Sequence, residues 1–254
     1  MIHPSPPGSS PRRGLLLAAL LLLGGLATLV GLLSCDLAAL PWPLLLVAVL
    51  TRTLLHTGLF IVGHDAMHGV LVPGSRRWND RLGGLALSLY AALPYGRCRR
   101  QHRRHHAFTG SSGDPDVHPD PGAGFLAWYG RFMAGYLSAS QMTRLLAGWA
   151  LLAILASCLS PTGAWNVLLF VTLPLLLSSL QLFGFGTYLP HRGQRQPLRQ
   201  PAPASLDLPV WLSLLACFHF CYHLEHHQNP GLAWYQLPGQ RRRRLSLALA
   251  GGPA

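Results

Sequence analysis

Three short strings hold most of the residues that could do chemistry: GHDAMHG with His64 and His68, QHRRHH with His102, His105 and His106, and YHLEHH with His223, His226 and His227. Imidazole is the commonest protein metal ligand, and helix residues at i, i+3 and i+4 share one face. Each string therefore predicts a row of metal-binding nitrogens. A structural or catalytic zinc takes three or four protein ligands, so eight imidazoles exceed what one ion needs. Two ions are the economical reading. All-nitrogen ligation suits Zn, Cu, Fe or Ni, and no cysteine falls within the rows to favour soft copper(I) or an iron–sulfur cluster. Soluble di-iron bundles rely on Glu and Glu-x-x-His pairs. The single glutamate, Glu225, excludes that plan and leaves a histidine-rich one.

Other groups qualify as helpers. His191 ends an apolar run and is placed to add a ninth nitrogen. His219 precedes His223 by four residues, so it is expected to ligate or orient from one helical turn away. Asp65, Asp114, Asp116 and Glu225 are expected to orient imidazole N–H groups rather than bind metal. For Asp114 and Asp116 an ordinary Gly-Asp-Pro turn is an equal reading. His3, His56 and His118 fall in a tail, a span and a loop, and are assigned no metal.

The rows sit in an oily chain. Half of the 254 residues are apolar and 11% are charged, against about 25% charged in soluble domains. The net charge of +12 is not that of a nucleic-acid binder, which needs spare polar surface. Five cysteines form no CxxC pair or zinc-finger spacing, and their odd number speaks against a disulfide framework. Cys217 and Cys221 read as small packing residues. Arg12 and Arg13 before an apolar stretch imitate a signal peptide, but the stretch is long and no A-x-A-like site comes after it. It is read as a retained span.

The elements that must position the rows can be read from hydropathy. Residues 1–13 are expected to be a disordered tail, 14–240 the membrane domain and 241–254 a basic C-terminal tail. Residues 14–33 are apolar without interruption, and about 20 residues cross a bilayer core. A second run ends near Gly63, and the two form one hairpin. Residues 82–94 and 123–143 suit interfacial helices. Runs at about 145–160 and 164–188, joined by a turn at 160–163, make a second hairpin, and 208–222 is apolar but short. Arg12/Arg13, Arg76/Arg77, Arg97–Arg104, Arg192–Arg199 and Arg241–Arg244 all fall on one side, and the opposite loops near 34–41 and 160–163 hold no arginine. The positive-inside rule makes that side cytoplasmic, and every histidine row lands there. The expected fold is an all-α integral membrane protein of four transmembrane helices with a cytoplasmic histidine-rich cap.

Several strings resemble the membrane fatty-acid desaturase–hydroxylase superfamily and, more closely, its bacterial and cyanobacterial β-carotene ketolases: HDAMHG at 64–69, HRRHH at 102–106 with GDPD at 113–116, FGTYLPHR at 185–192, and FHFCYHLEHHQNP at 218–230 with WYQLP at 234–238. The likeness spans about residues 55–238. FGTYLPHR discriminates most, because the histidine rows are common to the superfamily. The chain departs from the usual Pro and Trp pattern after the last row at Ala233, Trp234 and Tyr235, where an effect on substrate fit is expected.

The resemblance implies a di-iron centre held by His64, His68, His102, His105, His106, His223, His226 and His227, with His191 as ninth ligand. It implies O₂-dependent oxidation of the ring carbon 4 of β-carotene to a ketone, by two hydroxylations and loss of water, with a lipid-borne carotenoid as substrate. Electrons must come from a partner, since no Gly-rich dinucleotide motif occurs; a ferredoxin is implied. Carotenoid hydroxylase and fatty-acyl desaturase are the competing enzyme readings. A membrane metal sensor or transporter is the competing non-enzyme, though a transporter would place ionisable ligands near mid-membrane.

Overall fold

The structure is a computed structural model that describes residues 11–192 and 202–251. Everything regular among the described residues is helical. Four helices are long and apolar enough to cross a membrane: α1 (Pro11–Leu33), α2 (Trp42–His68), α6 (Ala139–Leu159) and α7 (Gly163–His191). Between and after them come α3 (Arg76–Ala91), α4 (Tyr95–Phe108), α5 (Phe125–Tyr136), α8 (Val210–Cys217), α9 (His223–Gln228) and α10 (Leu237–Leu249).

The second apolar run continues past Gly63, so His64 and His68 belong to the last turns of α2 itself. Gly69 stops the helix directly after His68 by taking the left-handed conformation at φ 79°, which only glycine adopts without cost. Half of the α2 apolar window is buried, against 6% for α6, so α2 is central and α6 peripheral. It packs against α1, α3 and α7. The α2–α3 contact is close because small residues face it: a Cβ on Gly63 would stand 2.6 Å from Leu87, and one on Gly83 would stand 2.7 Å from the Ala66 Cβ. Such stripes let membrane helices approach closely, and here they lie beside His64.

Two interior prolines shape α7. Pro174 has no N–H to give to the Phe170 carbonyl, and the helix widens to a π-turn over Leu168–Thr172. The freed Phe170 carbonyl accepts from Nε of buried Arg52, 3.1 Å away, while Arg52 Nη1 donates to Gly25 O at 2.6 Å. One guanidinium thus ties α1, α2 and α7 together. Pro190 comes after a second π-turn, Gly184–Tyr188. The inserted residue of a π-turn rotates the chain beyond it about the helix axis, and here it turns His191.

Two expectations change. Residues 1–10 of the proposed tail, with His3, lie outside the described residues, but Arg12 and Arg13 already belong to α1. Arg195 and Arg199 are likewise outside them. Arg241–Arg244 are not in a tail: they occupy a helix, α10, with Arg241 nearly buried.

Candidate metal centre

Helices α2, α4, α7 and α9 converge their histidines into two groups. His64, His68, His102 and His226 form one; His105, His191, His223 and His227 form the other; within each, the candidate ligand atoms lie within 4.8 Å of one another. Two nitrogens each about 2.1 Å from a shared ion stand roughly 3–4 Å apart, so each group is close to the spread that one ion would draw together. His106 joins the edge of the first, with Nε2 3.1 Å from that of His102 and 3.0 Å from that of His226. All nine expected histidines are therefore brought together.

The hydrogen bonds around the rings test whether a metal fits. The His105 ring donates Nδ1–H to Asp114 Oδ1 at 2.8 Å. The Thr109 hydroxyl donates to the His105 carbonyl at 2.8 Å, so it accepts from His227 Nδ1 at 3.2 Å. Both rings then present bare Nε2 lone pairs, and these face each other at 3.0 Å. Lone pairs opposed in a buried site need a cation between them. His64 and His191 have both ring nitrogens buried without a hydrogen-bond partner, a costly state for polar atoms unless a ligand bond is made. The donor set fits a pair of nitrogen-seeking ions.

Burial and then the neighbouring imidazoles push His102, His223, His226 and His227 well below the ordinary histidine range. The same causes take His106 to about 2. Their lone pairs are consequently free of protons at neutral pH. His105 is the exception. Burial opposes its charge, but Asp116 and Asp114 outweigh burial and raise it.

The acidic helpers divide. Asp114 holds His105, anchored in turn by the Gly110 N–H at 2.8 Å. Asp116, raised to about 6 chiefly by burial, lies 3.9 Å from His105 and accepts from the Tyr136 hydroxyl at 2.9 Å. Asp65 lies 3.7 Å from His64 Nδ1 and accepts from Trp234 N–H at 3.3 Å. Glu225 touches no imidazole nitrogen, contrary to expectation: it accepts from Ser205, from Arg244 Nε at 2.8 Å, and pairs with Arg241.

His219 also departs from its expected place. Helix α8 ends at Cys217, and Phe218 and His219 take positive φ of 52° and 67°, so no helical turn connects His219 to His223. Its Nδ1 meets the Ser213 hydroxyl at 2.6 Å, and its ring stacks on Tyr222 and Trp234. It staples the turn before α9. His56 bonds the Tyr90 carbonyl at 2.6 Å, and His118 contacts Asp120; neither belongs to the two groups.

A cavity of about 230 Å³ opens from His64, His102, His105 and His223. Away from them its walls are mostly apolar: Phe60, Tyr129, Phe132, Leu182, Phe183 and Phe220, with Trp149 and others. Spacing cannot reveal such a wall, although Phe125, Tyr129, Phe132 and Tyr136 do recur at helical intervals on α5. Trp234 and Tyr235 are not among its lining residues, so the departure at Ala233–Tyr235 lies behind the site rather than in it.

Fold and site together define an all-helical protein with four apolar, membrane-length helices and paired imidazole clusters beside an oily cavity. A model described as fatty acid desaturase matches residues 39–252. The chain belongs to that family, in its β-carotene ketolase group. It is 40% identical to a β-carotene ketolase of Paracoccus sp. (strain PC1), over 79% of this chain and 81% of that protein. It is 41% identical to a β-carotene ketolase of Haematococcus lacustris, over 77% of this chain and 62% of that protein. A β-carotene 4-ketolase of Protosiphon botryoides is 39% identical over 79% of this chain, which spans about half (52%) of that protein's length.

Proposed function

We propose that the protein oxidises carbon 4 of the β-ionone ring of β-carotene to a ketone, using two iron ions held by His64, His68, His102, His106 and His226 and by His105, His191, His223 and His227. The carrying observation is the pair of four-imidazole groups at the wall of an apolar cavity in a chain related to β-carotene ketolases. Bound there, the irons would supply O₂ activation for attack on an unreactive C–H bond. Each hydroxylation consumes one O₂, two electrons and two protons, and releases one water. A second round at the same carbon gives a geminal diol, which loses water to leave the ketone.

The chain's own residues bind and orient. The aromatic walls contributed by α5 and α7 hold the ring by dispersion and exclude water. Asp114 and Thr109 accept the Nδ1–H of His105 and His227 and so aim Nε2 of both rings inward. In this reading α1–α2 and α6–α7 are membrane hairpins, and the positive-inside rule supports a cytoplasmic cap, because the arginines cluster on the histidine side. Carotenoid enters from lipid, and a reduced ferredoxin supplies electrons.

Expression in cells that make β-carotene tests this. Echinenone and canthaxanthin are expected, with about two irons per purified chain. Unchanged pigment with altered acyl lipids would replace the reading by a desaturase. One zinc and no iron would overturn the mechanism.

A further inference from the structure

The four consecutive arginines of α10 are not equivalent. Arg241 and Arg244, one turn apart, face inward: both bond Glu225, which is fully buried, and Arg241 also reaches Asp207 at 2.7 Å. Glu225 sits immediately before His226 in α9. The inward pair therefore bolts α10 to the helix that carries His223, His226 and His227. Arg242 and Arg243 point the other way. They are exposed, and among the described residues neither makes an ion pair.

A cleft of about 730 Å³ runs beside them, lined by Gln228, Gln240, Arg242, Arg243, Arg244 and Ser246. Gln228 adjoins His227 in the chain. The lining of this cleft thus comes within one residue, along the chain, of the second imidazole group, and His227 is not fully buried. The cavity beside the same group is walled mostly by apolar side chains and suits a lipid-soluble substrate rather than a water-soluble protein. Like charges left unpaired at such a place cost stability and gain nothing from the fold, so they point to an anionic partner.

We propose that the α10 cleft is the docking surface for the electron donor, an acidic one-electron carrier protein, with Arg242 and Arg243 as its charge contacts. This rests on the oxidative reading above, which requires two electrons from outside for each hydroxylation. The carrier's acidic face pairs with the arginines, and electrons pass by way of Gln228 to the His227 edge of the centre. The competing occupant is an anionic lipid headgroup, because Leu245, Leu247 and Leu249 further along α10 are exposed and suit a membrane surface.

The test uses the full chain in nanodiscs, with reduced plant-type ferredoxin as the probe. In Arg242→Glu/Arg243→Glu the Kd for ferredoxin should rise on the order of tenfold or more at low salt. The KM for ferredoxin should rise in parallel while kcat at saturation holds, and added salt should shrink the difference. Arg77→Glu/Arg81→Glu makes the same charge change on α3 and should alter Kd much less. Equal effects from both pairs would mean a diffuse field rather than this cleft, and would overturn the proposal. So would an unchanged Kd with less phosphatidylglycerol retained by the double variant, which would assign the arginines to lipid. Absence of ketone from the wild type with ferredoxin binding intact and arginine-dependent would overturn the ketolase reading while leaving the docking surface standing.

Discussion

The two imidazole groups are built from the same residue type and held in different ways. In the second group, hydrogen bonds set two of the four rings: Asp114 orients His105 and Thr109 orients His227. In the first group, His64 has no hydrogen-bonded partner on either nitrogen. Its place is set by the close packing of α2 on α3, through Gly63 against Leu87 and Gly83 against Ala66. An imidazole can thus be aimed by a polar tether or by a rigid helix. The tether also fixes which nitrogen carries the proton; the helix fixes only direction.

That contrast can be broken most severely at its junction. His105→Ala removes a ring from the second group and the tether from Asp114, and turnover should vanish while the protein still inserts in the membrane. Near-full activity in a pigment assay would remove His105 from the ligand set. Asp114→Asn spares the ring but loses the charged tether. Iron affinity at the second group should fall about 10–100-fold, with the first group retaining its ion, so metal analysis should approach one iron per chain. Loss of both irons together would show that the groups are not separately held.

Packing should matter for the first group instead. Gly63→Ala drives a methyl into Leu87, and overpacking of this kind costs about 1–3 kcal/mol. Thermal unfolding in detergent should shift down, and iron should be lost from the first group before the second. Acid offers a milder probe. His102, His106, His223, His226 and His227 all have lowered pKa values, so their neutral, metal-binding form persists as pH falls. Iron at the first group, measured after dialysis, should therefore hold below about pH 6.5, the ordinary histidine value. His105, whose pKa is raised, should instead let the second group lose its ion first as pH falls. Loss from the first group centred at the ordinary value would contradict the burial that lowers its ligands.

The smallest effect is expected at His219. His219→Ala should leave iron content intact and cost about 1 kcal/mol through the lost Ser213 bond. Iron loss from this variant would return His219 to the site from which its left-handed backbone now separates it.

Much of the site is legible in the sequence, and for a local reason. A row at i, i+3 and i+4 faces one way whatever surrounds it, so His102, His105 and His106 announce themselves. His191 is legible from the FGTYLPHR string and its place at a span end. Spacing alone misplaces His219, because four residues imply a helical turn only if the backbone stays helical, and Phe218 breaks it. Glu225 escapes the sequence for another reason: its partners, Arg241 and Arg244, lie far along the chain in a stretch whose charge reads as a tail.

By itself, the sequence determined four membrane-length apolar helices, three histidine rows and an excess of imidazoles over the needs of one metal. Hydropathy and helical period are properties of neighbours in the chain, and they survive without tertiary contacts. Only the tertiary structure decided how the rows are shared. His102 goes to one group and His105 to the other, and His226 and His227 part in the same way, because adjacent faces of one helix meet different partners. It also decided that the oily wall of the cavity is assembled from several helices, α5 and α7 prominent among them, and that two of four arginines turn inward. Those outcomes depend on which helices pack together, and no stretch of chain carries that information alone.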